Sequence, residues 1–305
     1  MAGVGLCKPE HHVKTAPVNI QLSWGVLEGL YWPKPGAPKV LCLHGWLDNA
    51  ASFVPLAPHL AEFDLLALDF AGHGLSSHRP ENSRYYFMDY LFDIDAAMDK
   101  LGWEQCHLIG HSMGGGVASC LAAAMPERVD RLVLLDSLGL LTLPAHKAAQ
   151  QLRLSMISVR KARSFLRPYE SVEEAMLARQ KKSPISDDAA RLLCERSLEH
   201  TGDYYQWRTD PRLNWRSPQL SSDGQSLDIL AAIDSPTLAI TTPGLIDYFG
   251  EGMAHKRLRA IPDHKHVMFD GHHHFHMEQP QQTGIQITEF LLQPHQDQGA
   301  QYADD

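Results

Sequence analysis

Short apolar runs separated by helical periodicity constrain this chain more tightly than any other feature. The runs are Lys39–Leu43, Leu65–Leu68, His107–Ile109, Leu132–Leu135, Thr237–Ile240 and His266–Phe269. Most are continuous instead of alternating, the pattern of strands buried on both faces of a parallel sheet. Helical patterns lie between them: Ala50–Leu60, then Phe87–Leu101 with Leu91, Ile94, Met98 and Leu101 at helical spacing, then the Ala-rich Met113–Met125, which Pro126 stops. Strand, helix and strand in succession require right-handed crossovers, so the expected fold class is α/β, with a doubly wound and mostly parallel sheet. Val18–Tyr31, with Gly-Val-Leu-Glu-Gly at its centre, reads as an antiparallel opening hairpin.

From Leu138 to Leu227 the alternation stops and the pattern is helical, with no strand of comparable quality. Roughly ninety residues between two clean strands are too long for a loop and read as an inserted helical cap. The strand pattern returns at Pro236, and a final helix is expected over Gly284–Leu292. The expected organisation is a core of residues 18–137 and 228–293, a cap over 138–227, and flexible termini at 1–17 and 294–305.

Composition narrows the partners. A length of 305 residues suffices for one large core with an insertion. The formal net charge is −9, and Lys and Arg form no cluster with interleaved aromatics, so no nucleic-acid partner is expected. The first 20 residues lack the basic start and apolar stretch of a signal peptide, and no run is long enough to span a bilayer. The five cysteines, Cys7, Cys42, Cys106, Cys120 and Cys194, form no Cys-x-x-Cys pair and suit a reducing compartment. The expectation is a cytoplasmic protein without a membrane partner; nothing in the sequence addresses its oligomeric state.

One motif carries chemistry. Gly110-His111-Ser112-Met113-Gly114 joins the His107–Ile109 strand to the helix continuing through Gly115, Gly116 and Val117. Gly-x-Ser-x-Gly in that context is a nucleophile elbow. Ser112 must sit on a strained strand-to-helix turn, and glycines on either side leave room for the crossing. The turn leaves the serine oxygen at a helix N-terminus, where free N–H groups favour developing negative charge. A glycine-rich helix start capped by a serine is the plainer interpretation, and the flanking strand and helix weigh against it. His44-Gly45-Trp46 ends the Lys39–Leu43 strand, where this architecture draws one oxyanion donor. The donors are then the backbone N–H groups of Trp46 and Met113, with Gly45 allowing close approach; Trp46 also suits the wall of an apolar pocket.

Three segments together resemble the α/β-hydrolase superfamily: His44-Gly45-Trp46-Leu47-Asp48-Asn49, Asp69-Phe70-Ala71-Gly72-His73-Gly74-Leu75-Ser76, and Gly110-His111-Ser112-Met113-Gly114-Gly115. Within it the chain is most similar to the serine hydrolase-like proteins. The likeness covers roughly residues 20–137 and 228–293 and leaves out the cap. It implies that Gly72–Gly74 is a tight turn near the pocket. A serine hydroxyl needs a base, and the family places its histidine after the last strand, five residues before a glutamate and seven before a proline. Glu278 and Pro280 both select His273.

His272, His273, His274 and His276 also suggest a metal site, but no Cys or carboxylate is spaced as a partner, and neither metal nor cofactor is expected. Apart from His273 they are expected at the surface or pocket rim. The third member must hold the imidazole tautomer. The commonest family position, five residues past Ile240, is Leu245, so Thr241-Thr242-Pro243-Gly244 departs from the pattern; Asp247 lies two residues on, and Asp136 ends the Leu132–Leu135 strand. The order Ser, Asp, His allows both, with Asp136 favoured over Asp247.

The resemblance implies a serine hydrolase acting on an ester or similar acyl group, with a small, apolar substrate. A carbon–carbon bond hydrolase, a cofactor-free lyase and a non-catalytic binding protein on the same fold remain as alternatives. In the cap, Met156, Phe165, Met176, Tyr204, Tyr205, Trp207 and Trp215 are candidates for an apolar wall.

Overall fold

The structure, a computed structural model, describes residues 15–161 and 166–294. Cys7, Phe165 and the greater part of both expected flexible termini lie outside these residues. Eight strands form one sheet: β1 (Ala16–Gln21), β2 (Val26–Trp32), β3 (Lys39–Leu43), β4 (Asp64–Leu68), β5 (Cys106–His111), β6 (Val129–Leu135), β9 (Thr237–Thr241) and β10 (His264–Met268). A short antiparallel pair, β7 (Leu198–His200) with β8 (Tyr205–Trp207), lies apart from it. The spatial order is β1-β2-β4-β3-β5-β6-β9-β10, antiparallel at β1–β2 and β2–β4 and parallel from β4 onward. Chain order reverses at β3, so the ends of β3 and β5 open a crevice there, the usual ligand position in such sheets. Ala16 and Pro17, expected in a flexible terminus, belong to β1 and pair with Tyr31 and Leu30.

The helices follow the pattern with instructive departures. Helix α1 (Phe87–Leu101) buries Ile94 and Met98 and ends at Gly102, whose φ of 65° is left-handed. Helix α2 (Met113–Ala124) follows β5. The expected helix over Ala50–Leu60 is instead two short 3-10 turns, Ala50–Phe53 and Ala57–Leu60. Pro55 and Pro58 remove the N–H donors a continuous helix would need there. The last helix starts earlier than expected because Pro280 stands at its first turn, where proline is suited.

Beyond β6 the chain leaves the sheet for α3 (Ala148–Lys161), α4 (Val172–Gln180), α5 (Asp187–Ser197) and the β7–β8 pair. It returns through α6 (Asp223–Ala231), then α7 (Pro243–Phe249), α8 (Glu251–Ala260), α9 (Phe275–Glu278) and α10 (Pro280–Leu291). The expected boundary between residues 227 and 228 thus falls inside α6, which packs on α2 and α8. The excursion has its own apolar cluster, in which Met176, Leu193 and Cys194 are buried with Tyr205 and Trp207 against them. Three of the expected wall residues therefore pack this cluster. Met277, just past the histidine-rich stretch, joins it from α9. No helix among the described residues is long and apolar enough to cross a membrane.

Candidate active site

Backbone strain marks the site before any side chain is considered. Among the described residues, three non-glycine positions have left-handed φ: Leu47 at 61°, Ser112 at 51° and Asp136 at 46°. They stand just beyond β3, β5 and β6, three neighbouring strands. Such angles cost on the order of 1–3 kcal/mol each and persist only where the surroundings enforce them.

At Ser112 the enforcement is close packing. A Cβ on Gly110 would lie 2.5 Å from the Gly114 carbonyl oxygen, and one on Gly114 would lie 2.1 Å from that of Leu43. Only glycine lets α2 sit this near the β5 turn. The Ser112 N–H donates to the Leu135 carbonyl at 3.0 Å, which fixes the turn against β6.

Three side chains meet in a line. The Ser112 Oγ lies 2.9 Å from His273 Nε2, and His273 Nδ1 lies 2.7 Å from Asp136 Oδ2. An ionised Asp136 can only accept, so Nδ1 carries the proton and Nε2 is left to accept from Ser112. Asp136 is 2% exposed, whereas the His273 side chain is 42% exposed and open to a ligand. The other oxygen of Asp136 accepts from the Thr242 N–H at 2.8 Å and the Thr242 hydroxyl at 2.9 Å. Thr242, which the sequence showed only as a departure from the family pattern, caps α7 and orients the carboxylate. Of the two candidate acids, Asp136 is within reach of His273. Asp247 is exposed on α7, one turn past Thr242.

The oxyanion candidates follow β3 and β5. Neither the Trp46 nor the Met113 N–H has a hydrogen-bond partner among the described residues, while the adjacent Gly114 N–H is taken by the His44 carbonyl at 3.1 Å. His44 braces this loop: its Nδ1 donates to the Gly45 carbonyl at 2.7 Å and its Nε2 accepts from the Phe70 N–H at 2.9 Å. That pattern needs a neutral ring, and burial lowers its pKa to about 4. The space beside Gly45 is taken by protein, since a Cβ there would lie 2.8 Å from both Asp48 Oδ2 and His111 Nδ1. Gly72 and Gly74, with φ of 76° and 53°, form the expected tight turn, where a Cβ on Gly74 would lie 2.3 Å from the Asp69 carboxyl carbon.

Two of the remaining histidines depart from expectation. His272 is exposed, but His274 and His276 are buried because α9 turns them inward. Their partners come from elsewhere in the chain: Asp48 and Ser183 for His274, Ser52 for His276. Asp48, His111 and His274 bring one potential ligand atom each within 4.8 Å of one another. Arg179 is already paired with that carboxylate, which leaves little net negative charge to attract a dication. His111 is fully buried beside them, and burial, ahead of the opposing Asp48 contact, lowers its pKa to about 4. A histidine inside an otherwise apolar strand was the available signal for this second layer.

Comparison with known proteins agrees with the architecture. The family described as alpha/beta hydrolase fold matches residues 38–280. A serine hydrolase-like protein of Danio rerio is 34% identical, over 92% of this chain and 89% of that protein. A serine hydrolase-like protein of Dictyostelium discoideum is 33% identical, over 90% and 81%. The crystal structure of a hypothetical protein from Pseudomonas aeruginosa PAO1 superposes with a TM-score of 0.83 at 35% identity, covering 91% of this chain and 99% of that one. These likenesses support a hydrolase. The chain belongs to the α/β hydrolase fold family.

Proposed function

We propose that this protein is a serine hydrolase that cleaves an ester or similar acyl bond through an acyl-enzyme. The observation that carries this reading is the unbroken chain from Ser112 Oγ through His273 to Asp136, with bonds of 2.9 and 2.7 Å. His273 takes the Ser112 proton as the oxygen attacks the substrate carbonyl. The Trp46 and Met113 N–H groups receive the oxyanion, each donor lowering the barrier by roughly 2.7–4 kcal/mol. His273 then protonates the leaving alcohol, and water, deprotonated by the same ring, attacks the acyl carbon and releases Ser112. Asp136 holds the Nδ1 proton and stabilises the imidazolium.

Residues 138–227 act in this reading as a cap over the elbow. Support comes from the contacts of α4 and α5 with the oxyanion loop: Arg179 donates to the Leu47 carbonyl at 3.3 Å, and Asn49 donates to the Leu193 carbonyl at 2.8 Å. Met156 and Tyr204 stay exposed on this excursion.

The test is hydrolysis of short p-nitrophenyl esters together with labelling by a fluorophosphonate. Ser112→Ala is expected to abolish both. Unchanged hydrolysis in that variant, or a label on another residue, overturns the reading; a protein that binds such esters without turning them over fits a binding role instead.

A further inference from the structure

Asp48 touches three of the loops that carry candidate catalytic groups: the oxyanion loop, the elbow and the His273 loop. Its own backbone belongs to the oxyanion loop, where the Asp48 N–H donates to the Gly45 carbonyl at 3.1 Å. Its Oδ2 lies 3.1 Å from His274 Nε2, next to His273, and 3.5 Å from His111 Nδ1, next to Ser112. His111 in turn donates from Nε2 to the His273 carbonyl at 2.8 Å. Oδ1 is paired with the Arg179 guanidinium, which also holds the Leu47 carbonyl at 3.3 Å. Arg179 comes from α4, in the excursion between β6 and the rest of the sheet.

A buried carboxylate is costly unless paired and fully hydrogen-bonded, so its arrangement is fixed by its partners. Burial would raise the Asp48 pKa, but His274 and Arg179 together outweigh that and hold it well below the usual carboxylate range. The guanidinium presents two parallel donors to two acceptors and so sets an angle as well as a distance. With Arg179 absent, Oδ1 of Asp48 would lose its charged partner and Leu47 would lose a contact that supports its left-handed backbone.

We propose that Asp48 and Arg179 are positioning residues: through this pair the inserted segment sets the register of the oxyanion loop, the elbow and the His273 loop. The proposal rests on the serine hydrolase reading for its catalytic consequence, though not for the structural coupling. Seating of α4 is then a condition for alignment, and displacement of the segment releases three loops at once.

The experiment uses the full-length protein with two readouts. Amide hydrogen exchange is followed in residues 44–49 and 272–276, and kcat and KM are measured on a p-nitrophenyl ester. The double variant Arg179→Met/Asp48→Asn removes both charges and is expected to stay folded, because it strands neither of them. It is expected to exchange about tenfold faster in both loops and to lose roughly 10- to 100-fold in kcat with KM within about threefold, the cost of slight misplacement of reacting groups. Arg179→Lys should fall between it and wild type, because a single ammonium nitrogen lacks the rigid two-nitrogen fork that reaches both Asp48 and Leu47. Arg191→Met, which removes a surface pair with Glu173, should match wild type. Unaltered exchange in both loops, or a loss confined to KM, overturns the proposal. If Ser112→Ala hydrolyses the ester as well as wild type, the hydrolase reading fails while the exchange data still decide the coupling. Stoichiometric zinc uptake abolished by Asp48→Asn assigns the Asp48, His111 and His274 triangle to a metal and also overturns it.

Discussion

Two buried aspartates flank the His273 loop, and their surroundings differ in kind. Asp136 and Asp48 are each 2% exposed. Asp136 is bonded by His273 and by two neutral donors of Thr242, and no Lys or Arg pairs with it among the described residues. Asp48 is tied to Arg179 as well as to His274. A carboxylate solvated by neutral donors keeps its charge available for the imidazolium that forms during reaction. One paired with a guanidinium has spent that charge on holding loops together. Equal burial therefore says little about role; the charge of the partners separates them.

The strongest challenge to this contrast is neutralisation of Asp136. Asp136→Asn should lower kcat by about 10⁴, because the amide favours the wrong imidazole tautomer. Asp247→Asn should leave the rate of ester hydrolysis within experimental scatter. An equal loss in the two variants removes the basis for separating the acids. Next in size, Arg179→Met should destabilise the fold by about 3–5 kcal/mol by stranding the Asp48 charge. Urea denaturation should show the double variant with Asp48→Asn recovering much of that loss.

Acid should act on the braced side of the site. Folded His44 and His111 take up protons only near a pKa of about 4, whereas the unfolded chain does so from about 6.5. Their contribution to stability is thus full above pH 6.5 and falls as the pH drops toward 4, by on the order of 3 kcal/mol for each ring. Asp48 acts in the same direction, losing its contribution below the ordinary carboxylate range. Denaturation midpoints measured across this range should slope less steeply in His44→Gln than in wild type. The smallest effect sharpens the other side: Thr242→Val deletes one donor to Asp136, worth about 1.5–3 kcal/mol. Because Thr242 also caps α7, the variant should lower the denaturation midpoint as well as kcat, and a midpoint shift without a rate change would falsify the orienting role of Thr242.

The sheet was legible because both faces of its parallel strands are buried, which writes continuous apolar runs into the chain. The 3-10 turns after β3 were hidden by an apolar periodicity that Pro55 and Pro58 overrule. Ser112 and His273 stand at positions fixed by local motif spacing. The choice between Asp136 and Asp247 depended on where the chain turns after β6 and β9, and a left-handed Asp136 beside a helix capped by Thr242 has no one-dimensional signature. Least legible was the Asp48–Arg179 pair, whose members are 131 positions apart and lie in segments with no shared periodicity. A long-range ionic pair between a core loop and an insertion leaves no trace in local pattern.

The left-handed backbone at Ser112 sets stability and chemistry against each other at one residue. Glycine adopts that conformation without penalty, so Ser112→Gly removes the attacking oxygen and relieves about 1–3 kcal/mol of strain in the same step. A screen that rewarded only resistance to heat would be drawn toward that substitution, and its winners would be the most durable and least active molecules in the set.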